Sequence, residues 1–413
     1  MARLSTLGLG LLSSSTTVVA SLSNILTYGD LETAEVTSGH GLCGWAPPDP
    51  LNRAKPTCST SLLQGFGTKP NQWFPWTHRP YCADTPYCVF TNAHFHGNQG
   101  VSIITTPELA ASTLNKLEET FTAPFQQPKS SGPLYEVVDM PGKGKGAVAK
   151  RKIRRGEKFM VDYAGLIADT AFPGATKLEA GKKLLDTAVD QLPRGQAIRS
   201  LAKSTNTTER VVEDLLRTNS FGMTLEKRNI MALFPEISRM NHACSPNSFI
   251  RFSEKTLATA AIAFRDIEPG EELTISYADF GMLRDERQDF LHVRWGFTCT
   301  CALCSLSEED AAVSDERREK IREVRDAVLK HVKKSEFNQA IKKHKIMIDL
   351  IVEEGMLVPL GEYYDILARL YDSVGDRRNV EKWARMAIDD LELFGGEEIY
   401  EQVPELRDLL DGI

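Results

Sequence analysis

Three thiols crowd into Cys299-Thr-Cys-Ala-Leu-Cys304, with Cys301 between the outer two. A fourth cysteine, Cys244, stands in the loop Asn241-His-Ala-Cys-Ser-Pro-Asn247. A thiolate is a soft anionic ligand, and a structural zinc ion takes four ligands at the corners of a tetrahedron. The tight group supplies three and leaves one position open. No other cysteine falls between residues 89 and 298, so Cys244 is the candidate for the fourth. The expectation is one structural Zn2+ held by Cys244, Cys299, Cys301 and Cys304. Such a site closes a long loop and pins the end of a domain onto the Asn-His loop. Unrelated core cysteines would leave the tight spacing unexplained.

Other stretches carry weaker chemical signals. Glycines alternate in GKGKGAVAKRKIRRGEKF (142–159), where missing side chains let backbone approach a ligand, although a lone Gly-x-Gly means little. His94-Phe95-His96 could bind a metal, but two histidines on one face of a short strand are more simply exposed side chains. Cys43, Cys58, Cys82 and Cys88 form no Cys-x-x-Cys pair. In an exported chain they would make two disulfides in one of three connectivities, and in a cytosolic chain four free thiols. KRKIRR (150–155) reads as the solvated face of a strand-turn-strand rather than a nuclear-import or nucleic-acid patch. Asn206-Thr207-Thr208 is a glycosylation sequon that matters only on export.

The elements that must position these groups follow from composition and periodicity. With 413 residues the chain exceeds what one core usually serves, so two or three domains are expected. A 42% hydrophobic and 25% charged composition supports packed cores and excludes wholesale disorder. A formal net charge of −7 argues against counterion-release binding, so no direct nucleic acid is expected. No stretch is long and apolar enough to span a bilayer, so no membrane is expected.

Residues 1–20 have Arg3, an apolar run and a Val-Val-Ala exit, the layout of a signal peptide or other leader. Residues 21–132 form a Cys/Pro/Trp-rich segment that ends in a helix over 101–121 and the break APFQQPKSSGP at 123–133. Strand-like runs follow at 134–140, 146–153 and 158–167, then helical period over 176–219. Strand character returns at 248–252, 256–264 and 272–278. Beyond Cys304 everything is helical. Apolar stripes pair 336–353 with 360–374, and 360–374 with 378–394, as helical-hairpin repeats of the tetratricopeptide kind do, or as an ordinary antiparallel helical cap would.

Asn241-His-Ala-Cys-Ser-Pro-Asn247 resembles the Asn-His-x-Cys-x-Pro-Asn signature of SET-domain methyltransferases. Glu271-Glu-Leu-Thr-Ile-Ser-Tyr277-Ala-Asp279 resembles their Glu-Leu-x-x-x-Tyr segment, and FTCTCALC (297–304) their post-SET cysteines. The glycine stretch at 142–159 is similar to their opening strand pair, and the four motifs stand in the family's order. The resemblance is to the SET-and-MYND lysine methyltransferases without the MYND finger, since residues 168–240 contain no cysteine. A fungal-type SET protein with its own N-terminal segment also has this arrangement.

The resemblance implies an α+β fold: a SET β-fold of short strands in small sheets with a knot-like core, a helical insert, a post-SET zinc site and an all-α C-terminal domain. It divides the chain into a SET domain at 133–281 with its insert at about 170–235, a post-SET segment at 282–305 and a TPR-like domain at 306–413. It implies an S-adenosyl-L-methionine-dependent protein-lysine N-methyltransferase working by in-line transfer. Tyr277 would be catalytic, and Gly144, Gly146, Asn241, His242 and Phe297 would bind the cofactor, with Phe297 covering the adenine. Trp295 would wall the lysine channel, where an aromatic face can hold a cation. No carboxylate pair or histidine has base spacing, so the lysine would lose its proton to solvent. The partner implied is a protein presenting a lysine, with a further partner possible on the helical domain. The rival expectation is a catalytically silent SET scaffold. Thiolate zinc and a methyl donor favour the nucleus or cytoplasm, whereas the leader favours the secretory route.

Overall fold

The computed structural model describes residues 75–83, 85–111, 133–202, 211–225, 227–356, 360–394 and 402–411. The leader, Cys43, Cys58, the sequon and the 123–132 break lie outside the described residues.

The largest layer is a six-stranded sheet in the order β1-β2-β3-β7-β9-β8. Its first half comes from residues expected to form a separate segment: β1 (Tyr81–Cys82), β2 (Cys88–Asn92) and β3 (Val101–Thr105). β3 pairs in parallel with β7 (Leu166–Asp169), Ile103 opposite Ile167. The sheet therefore crosses the boundary drawn at residue 132, because hydrogen-bond partners of a strand need not be near it in sequence. The helix expected over 101–121 is also corrected. Val-Ser-Ile-Ile-Thr is fully buried strand, paired on both edges, and helix begins only at Pro107. β-branched residues fit that pleated, doubly covered position.

Alternation along these strands sends side chains to two cores. Phe90, Ile103, Ile167 and Ala232 face one, whereas Val89, Ile104, Leu166 and Met231 face the other. The second core is capped by the insert, namely α1 (Leu178–Asp190), α2 (Gly195–Arg199) and α3 (Val211–Asn219). The insert's far end is not helical. β8 (Ser220–Leu225) and β9 (Arg228–Leu233) form a hairpin that completes the sheet against β7.

Three smaller sheets carry the motifs. β4 (Tyr135–Met140) pairs with β5 (Gly144–Ala149), and β6 (Lys158–Tyr163) lies beside β12 (Ala258–Ala263), which lies beside β11 (Ser248–Ser253). The run 158–167, expected as one strand, is split: after Ala164-Gly165 the chain leaves β6 and enters the large sheet as β7. The two-residue strands β10 (Asn241–His242) and β13 (Thr274–Ile275) pair in parallel.

The remainder is helical: α4 (Arg284–Trp295), α5 (Glu308–Lys333), α6 (Phe337–Glu353), α7 (Gly361–Asp372), α8 (Arg377–Phe394) and α9 (Gln402–Asp411). α5 starts cleanly because the Ser307 hydroxyl accepts the Asp310 N–H at 3.1 Å. α6 packs on α7 and α7 on α8, as the apolar stripes imply. The tail closes onto the sheets through Phe394, whose ring lies 5.8 Å from Phe249 and 6.1 Å from Phe264. The guanidinium of Arg155 stands 4.6 Å over the same ring and 3.4 Å from Asp390. Lys152 of the KRKIRR stretch pairs with Asp266 at 3.1 Å and Glu268 at 2.8 Å, so this basic face is largely neutralised by its own neighbours.

Two expectations follow. Phe90→Ala should cost about 3–5 kcal/mol in a urea titration of the whole chain. A near-neutral result would show that the N-terminal strands are no part of this core. The second concerns His344, fully buried in the tail with Nε2 2.8 Å from the Tyr363 carbonyl. Burial pushes it down to about 4. Its folded value lies below the unfolded one, near 6.5, so the unfolded chain takes up the proton first. Stability should fall as pH drops from about 6.5 toward 4, and His344→Phe should flatten that slope in pH-dependent melts.

Candidate active site and metal centre

The parallel pairing of β10 with β13 sets Asn241 opposite Thr274 and His242 opposite Ile275, with Tyr277 two residues further on. Asn247 holds the arrangement. Its side-chain nitrogen donates to the Glu272 carbonyl at 2.8 Å, and its side-chain oxygen accepts the Thr274 N–H at 2.9 Å. Asn247 is thus a buried clamp on the segment that leads to Tyr277.

His242 is the hub. The Tyr277 backbone N–H donates to its Nδ1 at 2.9 Å, and its Nε2 lies 3.2 Å from the Cys244 sulfur. With Nδ1 accepting, the ring proton belongs on Nε2, directed at that sulfur. Burial pushes the imidazole down to about 4, so it stays neutral. Both ring nitrogens are thus occupied within the protein.

The Tyr277 hydroxyl donates to the Met240 carbonyl at 2.8 Å. Burial, and secondarily the Glu272 charge, raise its pKa above the usual phenol range, so it is a hydroxyl and not a phenolate. Its ring lies 5.1 Å from Trp295, whose indole N–H reaches the Thr218 carbonyl of the insert at 3.1 Å. The Phe297 ring lies 6.2 Å from the His242 ring.

The two glycines do different work. Gly144 has φ +75 with open space around it, so its need is conformational. At Gly146 a Cβ would lie 2.8 Å from the Asn241 amide nitrogen and 2.5 Å from Met140, so a side chain there would collide with both. Asn241 itself donates to Glu272 at 2.8 Å, and Lys143 pairs with the other oxygen of Glu272 at 2.7 Å. Glu272 carried no separate signal in the sequence beyond its place in the Glu-Leu motif.

The four cysteines converge as expected. Their sulfurs all lie within 4.8 Å of one another, and among the described residues they are the one group of three or more potential metal ligands. The Cys244 sulfur is 3.4 Å from Cys304 and 3.9 Å from Cys299. A tetrahedral zinc with bonds near 2.3 Å requires sulfur–sulfur spacings of about 3.8 Å, so the donor set fits that ion. Gln288 of α4 grips the site in a way no motif announced. Its side chain donates to the Cys299 carbonyl at 2.8 Å and accepts the Cys299 N–H at 2.9 Å.

His94 and His96 do not join the site and do not lie on a strand. They flank a tight turn, where the His96 ring stacks on Tyr163 at 3.3 Å and His94 contacts Asn98 at 2.9 Å. Cys82 and Cys88 face each other across β1 and β2 and form a disulfide.

The geometry makes one measurement decisive for the metal centre. Purified chain should carry about one zinc per molecule by elemental analysis, and Cys244→Ser should lose most of it, since structural zinc sites close with four ligands. Zinc retained in full by that variant would remove Cys244 from the ligand set.

Comparison with known proteins agrees with this arrangement. Residues 144–278 match the model of the SET domain. Over 189 residues the chain is 29% identical to the Histone-lysine N-methyltransferase set5 of Schizosaccharomyces pombe, covering 46% of this chain and 56% of that one. It is 38% identical over 100 residues to human Histone-lysine N-methyltransferase SMYD3, and 34% over 106 residues to human N-lysine methyltransferase SMYD2. Those two stretches cover 24% and 25% of this chain, and 23% and 24% of the relatives. The chain thus spans little more than half of the first of these relatives and about a quarter of the others. The strand pairing around Asn241, His242 and Tyr277 lies inside residues 144–278, the span that matches the SET domain.

Proposed function

We propose that this chain is a protein-lysine N-methyltransferase that uses S-adenosyl-L-methionine, with Tyr277 at the transfer site and zinc on the four cysteines. The observation that carries the reading is the placing of the Tyr277 hydroxyl against the Met240 carbonyl, one residue before Asn241. In this reading Asn241 is a polar contact for the cofactor and Phe297 the cover for its aromatic ring. When bound, the cofactor supplies a methyl group already activated on a sulfonium.

The remaining work is positioning. The acceptor is a lysine of a protein, the class that the names of the matched relatives share. A lysine side chain would enter beside Trp295, whose anchored face can hold the cationic amine on its way in. The amine would first give up a proton to water, because its lone pair is what accepts the methyl group that the cofactor would supply. Tyr277, kept protonated by burial, orients that nitrogen and polarises the transfer site as a hydroxyl. Glu272 is committed to Asn241 and Lys143, so it holds the cofactor side of the site and is not the base. The zinc would be structural: it ties the segment bearing Trp295 and Phe297 to the His242 loop.

Tyr277→Phe should keep cofactor binding in calorimetric titration while lowering kcat on a lysine substrate by about 10²–10³-fold. Zinc-loaded wild-type chain that fails to bind the cofactor would instead favour a silent scaffold.

A further inference from the structure

Two guanidinium groups are buried beside the cysteine cluster, and neither belongs to the site described above. Arg287 and Arg318 are each 2% exposed. Arg287 projects from the face of α4 that meets the thiols. Leu291, one turn along, is packed among Cys244, Cys299 and Cys304, and the neighbouring Gln288 holds Cys299. Arg318 comes from α5 of the helical tail and donates to the carbonyl of Phe280, just beyond Tyr277. Both reach one acceptor, the Met282 carbonyl, Arg287 at 2.6 Å and Arg318 at 3.4 Å. The Nε of Arg287 has no hydrogen-bond partner.

Like charges sharing a carbonyl out of water are costly unless anions offset them. One buried anion is present. Glu354, its side chain 1% exposed, takes Arg318 at 2.9 Å and Arg317 at 2.8 Å. Arg317, itself 26% exposed, also meets Glu353 at 4.0 Å, so the uncompensated buried charge is that of Arg287. Four thiolates around a divalent zinc carry a net negative charge that would offset it.

We propose that Arg287 and Arg318 are the buried counter-charge of the tetrathiolate metal centre, through which metal loading and docking of the helical tail reinforce each other. Burial, and after it the charge of Arg287, lower the Arg318 pKa, while Glu354 and the Cys244 sulfur oppose that shift. Because Arg318 stands on the tail and grips the loop after Tyr277, charge placed on the sulfurs favours the docked tail, and by reciprocity the docked tail favours the metal. The proposal rests on the four-cysteine metal reading above and not on methyl transfer.

The test is zinc affinity of the full chain, by competition with a chromophoric chelator and with no methyl donor present. Arg287→Met should weaken zinc binding by about 10- to 100-fold, the range seen when outer partners of metal ligands are removed. Arg287→Lys, which keeps the charge, should stay close to wild type. Equal weakening in both, or none in a folded Arg287→Met, overturns the proposal. If Arg287→Met does not fold, Glu354→Gln decides. Removing that carboxylate leaves more positive charge facing the thiolates, so tighter zinc binding supports the proposal, and equal or weaker binding overturns it. Chelating zinc from wild type should also raise hydrogen exchange across residues 308–333, and unchanged exchange there would sink the link to the tail.

Discussion

Everything at this site depends on the orientation of one imidazole. His242 accepts the Tyr277 backbone N–H on one edge and meets the Cys244 sulfur on the other, in a buried position where it stays neutral. A ring with two directional partners has one tautomer and one pose. The place of the tyrosine and the place of the metal ligands are therefore one decision and not two. The pairing that delivers the ring, Asn241 and His242 against Thr274 and Ile275, joins segments about thirty residues apart through strands of only two residues. Pairing that short is not self-supporting.

Side-chain clamps supply what the short ladder cannot. Asn247 fastens β13 by its backbone, Gln288 fastens the backbone of Cys299 from both sides, and Glu272 ties Asn241 to Lys143. Each takes a backbone or amide group with no regular partner and gives it a buried or half-buried one, which matters most where solvent is excluded. The outer layer is helical. The Phe394 seam packs the far end of the tail on the β11–β12 sheet, while Arg318 and Glu354 bring its near end to the loop after Tyr277.

How much of this could be read from the chain varies with the distance over which the signal acts. The cysteine spacing, the Asn-His loop and the tyrosine segment are contiguous patterns, and the structure gathers them as the spacing implies. The helices after Cys304 follow the apolar stripes closely. By contrast, Val101–Thr105 reads as part of a helix until its two neighbouring strands are known, since β-branched residues next to a Pro-initiated turn suit either state. Arg287 and Arg318 lie in helices dense with charge, and Glu354 just past the end of another, where one charged side chain looks like any other. Only burial distinguishes them.

The linear chain by itself determined which chemical groups are present and in what order: four thiols, an Asn-His pair, a glycine opening and a late tyrosine. These are set by local residue type and spacing, and no packing can alter them. The tertiary structure decided which of those groups touch. It turned the His242 ring inward, made Gly146 and not Gly144 the point of close approach, joined residues 81–105 to the main sheet, and drew two arginines out of water beside the thiols. Contacts between residues far apart in sequence arise from shared burial and paired backbone, and neither is written at any single position.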